Sequence, residues 1–335
     1  MKTLFFLCCV IFFLEGAWAQ KLVIVTTTSD LASIAEAVGG DYAEVSSIHT
    51  GKQDSHYLTA KPSYMVQIRN ADLFIRIGME LEIGWEPLLV KGARNSSIAE
   101  GTSGLLDAST AIKPLEIPQG TIDRSMGDVH PYGNPHYWLD PYNARAIAKL
   151  MAKRMSELAS ANQSAYQQKA DRFIRKIDTA MFGSKLVDLI DPENLWTLHQ
   201  ENKLESLLRE KGVALEGWAG KMAPLNGVKI ITYHRSWTYF FSRFHLVSLI
   251  ELEPKPGISP STAHLLHVIQ LGMEQKPPLV MIEAFYNSKP AELVASKIGA
   301  QVLILPNSVH GIEAVSDYVA LIDHLVNEIT SHIKN

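Results

Sequence analysis

Three histidines of this sequence stand where a metal ion could be bound, at His56, His136 and His234. His56 lies in a polar loop after a predicted strand, His136 lies in a loop rich in Gly and Pro, and His234 directly follows a β-branched run. In α/β folds, the loops beyond the carboxyl ends of strands carry ligand-binding residues. Imidazole is a nitrogen donor that suits zinc, whereas carboxylates suit manganese and magnesium better. The three positions are too far apart in the chain to form a local metal motif, so position alone does not show that they meet.

The remaining histidines fit a metal site less well. His264, His267 and His324 lie among leucines at helical spacing, where a packing or surface histidine is expected. His130, in the loop that precedes His136, is either an auxiliary metal ligand or a polar loop residue.

Strands and helices alternate along the chain, and these elements would position the three histidines. Strands separated by helices imply parallel sheets with right-handed crossovers. The chain of 335 residues is longer than one core usually organises, so an α/β protein of two lobes is expected. The predicted strands cover residues 21–25, 45–48, 73–77, 228–232, 247–252, 279–283 and 302–305, and predicted helices cover 31–38, 63–70, 237–244, 261–274 and 291–298.

A helical stretch separates the two halves. Residues 142–182 have apolar residues at helical spacing and contain neither Gly nor Pro, with one interruption at Ser160 to Ser164. The stretch is either a surface helix of one domain or a long connector helix that bridges two lobes and permits only small motion between them. The predicted domains are a signal peptide at residues 1–19, an N-terminal α/β lobe at 20–141, a helical connector at 142–182 and a C-terminal α/β lobe at 183–335.

The first residues have the three parts of a secretory signal peptide. Lys2 precedes an apolar run from Leu4 to Leu14, and a small-x-small site follows at Ala17-Trp18-Ala19. The run is well short of the roughly 20 apolar residues of a spanning helix. Both cysteines, Cys8 and Cys9, lie inside it, so the exported chain would lack disulfides, thiolate metal sites and cysteine nucleophiles. The sequence therefore predicts a periplasmic protein, and its net charge of −4 without long basic runs argues against nucleic-acid binding.

Four segments around the histidines share the pattern of a known family. They are Asp54-Ser55-His56 with Lys61-Pro62-Ser63, Asn134-Pro135-His136-Tyr137-Trp138-Leu139-Asp140-Pro141, Thr232-Tyr233-His234-Arg235-Ser236-Trp237, and Pro256-Gly257-Ile258-Ser259-Pro260. In these segments the chain resembles the metal-specific solute-binding proteins of ABC transporters, the zinc and manganese family also called cluster A-I or cluster 9. The resemblance extends from about residue 21 to the C-terminus.

This resemblance implies two α/β lobes bridged by a long helix, with the metal at the lobe interface. His56, His136 and His234 take the positions of the family's first three ligands. In this family, zinc carriers have a histidine at the third ligand position and manganese carriers have a glutamate there. His234 therefore indicates Zn²⁺ as the transported ligand. The resemblance further implies a monomer that delivers the metal to the permease of an ABC importer in the inner membrane.

The fourth ligand departs from the family pattern. The family's usual fourth ligand is an aspartate in a Leu-Asp-Pro block, and the matching stretch here is Ile304-Leu305-Pro306. Leu305 cannot bind a metal, so the substitutes are Glu283, His310 and a water molecule. We predict Glu283, because it ends a strand whose carboxyl edge faces the proposed site.

Two aspartates could orient the histidines. We predict that Asp54 accepts a hydrogen bond from His56 and that Asp140 accepts one from His136, without either carboxylate binding the metal. Asp140 has a competing role as the cap of the connector helix.

Two other functions are compatible with such a site. A zinc-dependent hydrolase could use a three-histidine site with bound water, although the sequence has no HExxH or comparable block. A metal-binding adhesin is the second, because the resembling family has been linked to attachment, but the predicted signal lacks a lipid anchor. We therefore expect a carrier and no enzyme.

Overall fold

The computed structural model describes residues 21–120, 127 and 129–333 of the chain. The predicted signal peptide, residues 1–19, lies outside the described residues. Among the helices in these ranges, none is long and apolar enough to cross a membrane.

Four parallel strands form the sheet of the first lobe. The strands are β1 (Leu22–Thr26), β2 (Ala43–Ser47), β3 (Leu73–Arg76) and β4 (Leu105–Asp107), and the helices between them are α1 (Ser29–Gly39), α2 (Pro62–Arg69) and α3 (Glu86–Ala93). The strand order is β2-β1-β3-β4. Helix α1 starts where the Thr28 hydroxyl accepts a hydrogen bond from the Leu31 N–H, and Gly40, with φ of 51°, ends it. Because all the strands are parallel, their carboxyl ends lie at one edge of the sheet.

A helical region joins this lobe to the next. Its helices are α4 (Pro141–Leu158), α5 (Gln163–Phe182), α6 (Ser184–Leu189), α7 (Pro192–Gln200), α8 (Leu204–Lys211) and α9 (Gly217–Met222). A short 3-10 turn at Ser160–Asn162 separates α4 from α5, in the stretch where the sequence indicated an interruption, and the two helices pack against each other. Helix α5, with 20 residues, is the long helix of the connector.

Four more parallel strands form the second sheet. The strands are β5 (Lys229–Thr232), β6 (Val247–Glu251), β7 (Leu279–Glu283) and β8 (Gln301–Leu305), and the helices are α10 (Thr238–Phe244), α11 (Thr262–Gln275), α12 (Lys289–Ile298) and α13 (Tyr318–Ile333). The strand order is β6-β5-β7-β8, the same as in the first lobe. Two parallel sheets flanked by helices, together with a long helix, confirm the predicted fold class. The predicted domain boundaries stay predictions.

One hydrophobic core extends through both lobes. Alternate side chains of a strand point to opposite faces of its sheet, so Ile24 of β1 joins this shared core and Val25 joins a separate cluster on the outer face. In β7, Met281 joins the shared core and Ile282 joins an outer cluster of the second lobe. Helices α4, α5 and α13 fill the space between the sheets with buried residues such as Met151. This packing is continuous from one lobe to the other.

Candidate metal centre

The imidazoles of His56, His136 and His234 meet at one place. One ring nitrogen of each lies within 4.8 Å of those of the other two. The ring centroids are 5.1 Å apart for His56 and His136, 5.4 Å for His56 and His234, and 5.3 Å for His136 and His234. His136 and His234 are buried, and His56 is partly buried. Three residues from distant parts of the sequence thus form a candidate metal centre, and their role as ligands stays a prediction.

Each of these histidines comes from a different segment. His56 lies in the loop between β2 and α2, and His136 immediately precedes the 3-10 turn that leads into α4. His234 follows β5, whose last residue pairs with Met281 of the neighbouring β7. The first two come from the first half of the chain and the third from the second half. The centre therefore lies at the interface of the lobes.

Carboxylates hold two of the rings through Nδ1. His56 Nδ1 lies 2.7 Å from Asp54 Oδ1, and His234 Nδ1 lies 2.7 Å from Glu253 Oε2. An ionised carboxylate can only accept, so Nδ1 carries the proton and Nε2 keeps a free lone pair. The predicted hydrogen bond between Asp54 and His56 is confirmed. Glu253 was not singled out from the sequence, although it lies only three residues before Pro256 of the fourth family segment.

Asn134 holds the third ring. Its side-chain oxygen lies 2.9 Å from the backbone nitrogen of His136 and 3.0 Å from Nδ1 of the ring. The prediction that Asp140 holds His136 was wrong, because that carboxylate pairs with the buried Arg243 at 2.8 and 2.9 Å. Asp140 also accepts the Tyr142 N–H at 2.9 Å, so its predicted role as the cap of the connector helix is confirmed.

Burial favours the neutral imidazole at His136 and at His130. Burial, together with the neighbouring rings of His56 and His234, lowers the pKa of His136 well below its ordinary value. The same causes lower the pKa of His130 to about 3. Burial acts to raise the pKa of Asp54, but the hydrogen bonds and charge of His56 outweigh it and bring that pKa to about 2. Neutral imidazole is the form that binds a metal, so His136 can bind one without first releasing a proton.

His130 lies against the centre. Its Nε2 is 3.2 Å from Nε2 of His56, and the two ring centroids are 5.2 Å apart. A cavity of about 250 Å³ opens beside the centre, and His130, His136 and His234 are part of its lining. The sequence left open whether His130 is an auxiliary ligand or a polar loop residue. The structure places it partly buried beside the ring of His56, where it lines the cavity.

Glu283, the predicted fourth ligand, is fully buried at the end of β7. Within the described residues, the group of mutually close ligand atoms contains the three histidines and not Glu283. Burial raises the pKa of its carboxyl to about 8, and the Ser236 hydroxyl offsets this only in part. Neither carboxylate oxygen has a hydrogen bond of good geometry with a described residue. Coordination by Glu283 stays a prediction.

The other residues considered for the fourth position lie elsewhere. Leu305 is buried in the shared core at the end of β8. His310 is exposed and has a φ of 63°. His310 is not part of the histidine group in the described chain.

The histidines that the sequence discounted are in helices. His264 and His267 lie in α11, where Nε2 of His264 is 2.9 Å from the backbone oxygen of Glu251. His324 lies in α13. Among the described residues, none of these three belongs to the metal-binding group.

The sequence is similar to proteins that bind metals. Residues 24–181 and 197–332 match the family described as zinc-uptake complex component A, periplasmic. The iron-binding protein YfeA of Yersinia pestis is 26% identical over 320 residues, which cover 93% of this chain and 86% of that protein. The manganese ABC transporter substrate-binding lipoprotein PsaA of Streptococcus mitis is 27% identical over 167 residues, which cover 49% of this chain and 50% of that protein. The names of these relatives thus include iron and manganese beside the zinc of the family description.

Solved structures share the fold. A crystal structure of ZnuA has a TM-score of 0.70 and 23% sequence identity, and the match covers 93% of this chain and 99% of that chain. The Mn-bound periplasmic metal binding protein from Candidatus Liberibacter asiaticus has a TM-score of 0.65 and 20% identity, with 93% and 99% covered. At these identities the similarity establishes the common fold.

Proposed function

The chain belongs to the family of zinc-uptake complex component A, the metal-binding substrate-binding proteins of ABC transporters, and on this premise we propose that its cargo is zinc. One Zn²⁺ binds to His56, His136 and His234. The loaded protein, a monomer in the periplasm, then delivers the ion to the permease of an importer in the inner membrane. Export depends on the predicted signal peptide.

One observation supports this proposal above all: the three rings that meet at the lobe interface are each held through Nδ1. Outer hydrogen bonds of this kind fix the tautomer and the orientation of metal-binding histidines. One ring nitrogen of each histidine lies within 4.8 Å of those of the other two, which supports binding of a single ion by all three. Three nitrogen ligands with one further position are a common zinc arrangement.

The donor atoms favour zinc over manganese, one of the metals in the names of the relatives. Carboxylate, carbonyl and water oxygens suit manganese, whereas imidazole nitrogen suits zinc as well as copper, nickel and iron. In the described chain the close group consists of imidazoles alone. His234 occupies the third ligand position, where manganese carriers of the family that the sequence resembles have a glutamate. The ligand set therefore supports zinc over manganese, and iron must be separated by experiment.

Metal analysis of protein purified without chelator tests the proposal. We expect about one zinc per chain, and the melting temperature should rise with added zinc. A ligand that binds only the folded state stabilises it by ~2.7 kcal/mol when its free concentration is 100 times the Kd. Competition with Mn²⁺ and Fe²⁺ then tests selectivity. If either ion displaces zinc at equal free concentration, zinc is not the preferred cargo, and several equivalent sites in the titration would contradict the single centre.

A further inference from the structure

The imidazole of His130 lies beside that of His56, with the two Nε2 atoms 3.2 Å apart. We propose that His130 supplies a fourth nitrogen ligand, so that four imidazoles hold the metal. This inference rests on the proposed function. His130, which precedes His136 in the chain, takes the place of the carboxylate that is the usual fourth ligand in the family pattern.

The distance between His130 and His56 fits a shared metal ion. Their Nε2 atoms are 3.2 Å apart. With zinc–nitrogen bonds of ~2.0–2.1 Å and tetrahedral angles, two nitrogens bound to the same zinc are ~3.3–3.4 Å apart. Because Asp54 holds Nδ1 of His56, Nε2 is the nitrogen of His56 that can face an ion. The two rings are therefore already spaced as neighbouring ligands.

His130 lines the same cavity as His136 and His234. Within the described residues it lies outside the group of ligand atoms that are all within 4.8 Å of one another, so its nitrogen has to approach His136 and His234 when the ion binds. The backbone oxygen of Met79 accepts a hydrogen bond from the His130 ring. A bond of this kind fixes a metal-binding histidine as the carboxylates fix His56 and His234.

The charge of the site favours a neutral fourth ligand. Asp54 and Glu253 hold two of the rings, and their two negative charges balance the two positive charges of a zinc ion. A fourth imidazole keeps this balance. Ionised Glu283 would instead leave one excess negative charge at a position that is fully buried, and an uncompensated buried charge is costly.

Coordination by His130 also has a consequence for the cavity beside the centre. His130 lines this cavity together with His136 and His234. When His130 binds the ion, its imidazole lies between the metal and this cavity. The bound metal is then separated from solvent by a ligand and not by a water molecule.

X-ray absorption at the zinc edge tests this inference, because it counts imidazole ligands. The mature wild-type protein loaded with zinc should show four, and both His130→Ala and His130→Gln should show three with one oxygen. Zinc affinity, measured by chelator competition, should fall roughly tenfold or more in both variants, at the low end of the range for losing a group that supports a metal site. His267→Ala, which changes an exposed histidine of α11, is the matched control and should change neither quantity.

Other outcomes separate the inference from the proposed function. Three imidazoles and one oxygen in the wild type, with unchanged affinity in both His130 variants, would overturn the role of His130 and leave the three-histidine carrier intact. A loss of affinity in Glu283→Gln instead would assign the fourth position to Glu283. A wild-type protein that retains no stoichiometric zinc would overturn the proposed function itself. Melting curves of the metal-free variants identify any change that only reflects misfolding.

Discussion

The phenol oxygen of Tyr286 lies 3.3 Å from Oδ2 of Asp54, whose Oδ1 holds the ring of His56. Tyr286 follows β7 in the second lobe, and Asp54 follows β2 in the first. The Tyr286 ring stacks on Tyr233, with centroids 4.2 Å apart and an interplanar angle of 15°. Tyr233 immediately precedes His234. The ligand loops of the two lobes are therefore joined by a hydrogen bond outside the metal position.

Replacing Tyr286 with Phe should weaken zinc binding by up to ~tenfold, since outer hydrogen-bond partners typically contribute 10–100-fold and this one acts through Asp54. Burial raises the pKa of the Tyr286 hydroxyl, so the group remains a donor and the variant removes one bond to Asp54. Stopped-flow release of zinc to a chelator measures the effect, and release should be faster. The control is Tyr42→Phe, which changes an exposed tyrosine directly before β2. Equal release rates in both variants would show that the bond does not position His56.

The three converging histidines should each be required for binding. We expect His56→Ala, His136→Ala and His234→Ala to reduce zinc affinity by more than the ~10–100-fold that loss of an outer partner costs. His264→Ala and His324→Ala should leave affinity unchanged, because these residues lie in α11 and α13. Isothermal titration of all five variants compares them. Equal losses at all five positions would contradict the assignment of the centre.

Much of the frame around the centre could be predicted from the sequence. Strand β7, Leu279–Glu283, is buried at every position and has the predicted bounds, because a continuous apolar run identifies a strand covered on both faces. Strand β4, Leu105–Asp107, has only three residues, too few for a periodic pattern. Helices α6 to α9 were not predicted, since each is six to nine residues long and offers few repeats of the helical period.

The partners of the site residues depended on the tertiary fold. His234 could be chosen because its place after β5 is a local feature of the sequence. Glu253 reaches it because β6 is the parallel neighbour of β5, so the loops after both strands lie at the same edge. Asp140 was placed next to His136 by sequence distance alone. In the structure it faces Arg243 of α10, more than a hundred residues later, and no local pattern indicates that pairing.

The buried pair of Arg243 and Asp140 should make a large contribution to folding. Their side chains are 6% and 10% exposed. Arg243→Met should lower the free energy of unfolding by ~3–5 kcal/mol, because Asp140 is left as an uncompensated buried charge. Urea denaturation of the metal-free protein measures this loss. The double variant with Asp140→Asn should recover part of it.

An exposed pair provides the comparison for this effect. Arg209 and Glu205 are 3.6 Å apart with side chains 74% and 80% exposed. Arg209→Met should cost less than ~1 kcal/mol, as exposed ion pairs do. If Arg243→Met costs no more than Arg209→Met, then solvent or another group compensates Asp140.

The carboxyl of Glu283 should make the stability of the metal-free protein depend on pH. Burial raises its pKa from 4.5 to about 8, so between these values the folded protein keeps a proton that the unfolded chain has released. The contribution of this group is therefore complete below its unfolded pKa and is lost as the pH rises toward 8. Glu283→Gln mimics the protonated form at every pH, so the melting temperature of the wild type minus that of the variant should fall from pH 5 to pH 8. Glu205→Gln, on an exposed face of α8, is the matched substitution. A difference that stays constant over this range would mean that Glu283 is already ionised in the folded protein, with a counter-charge that compensates its burial.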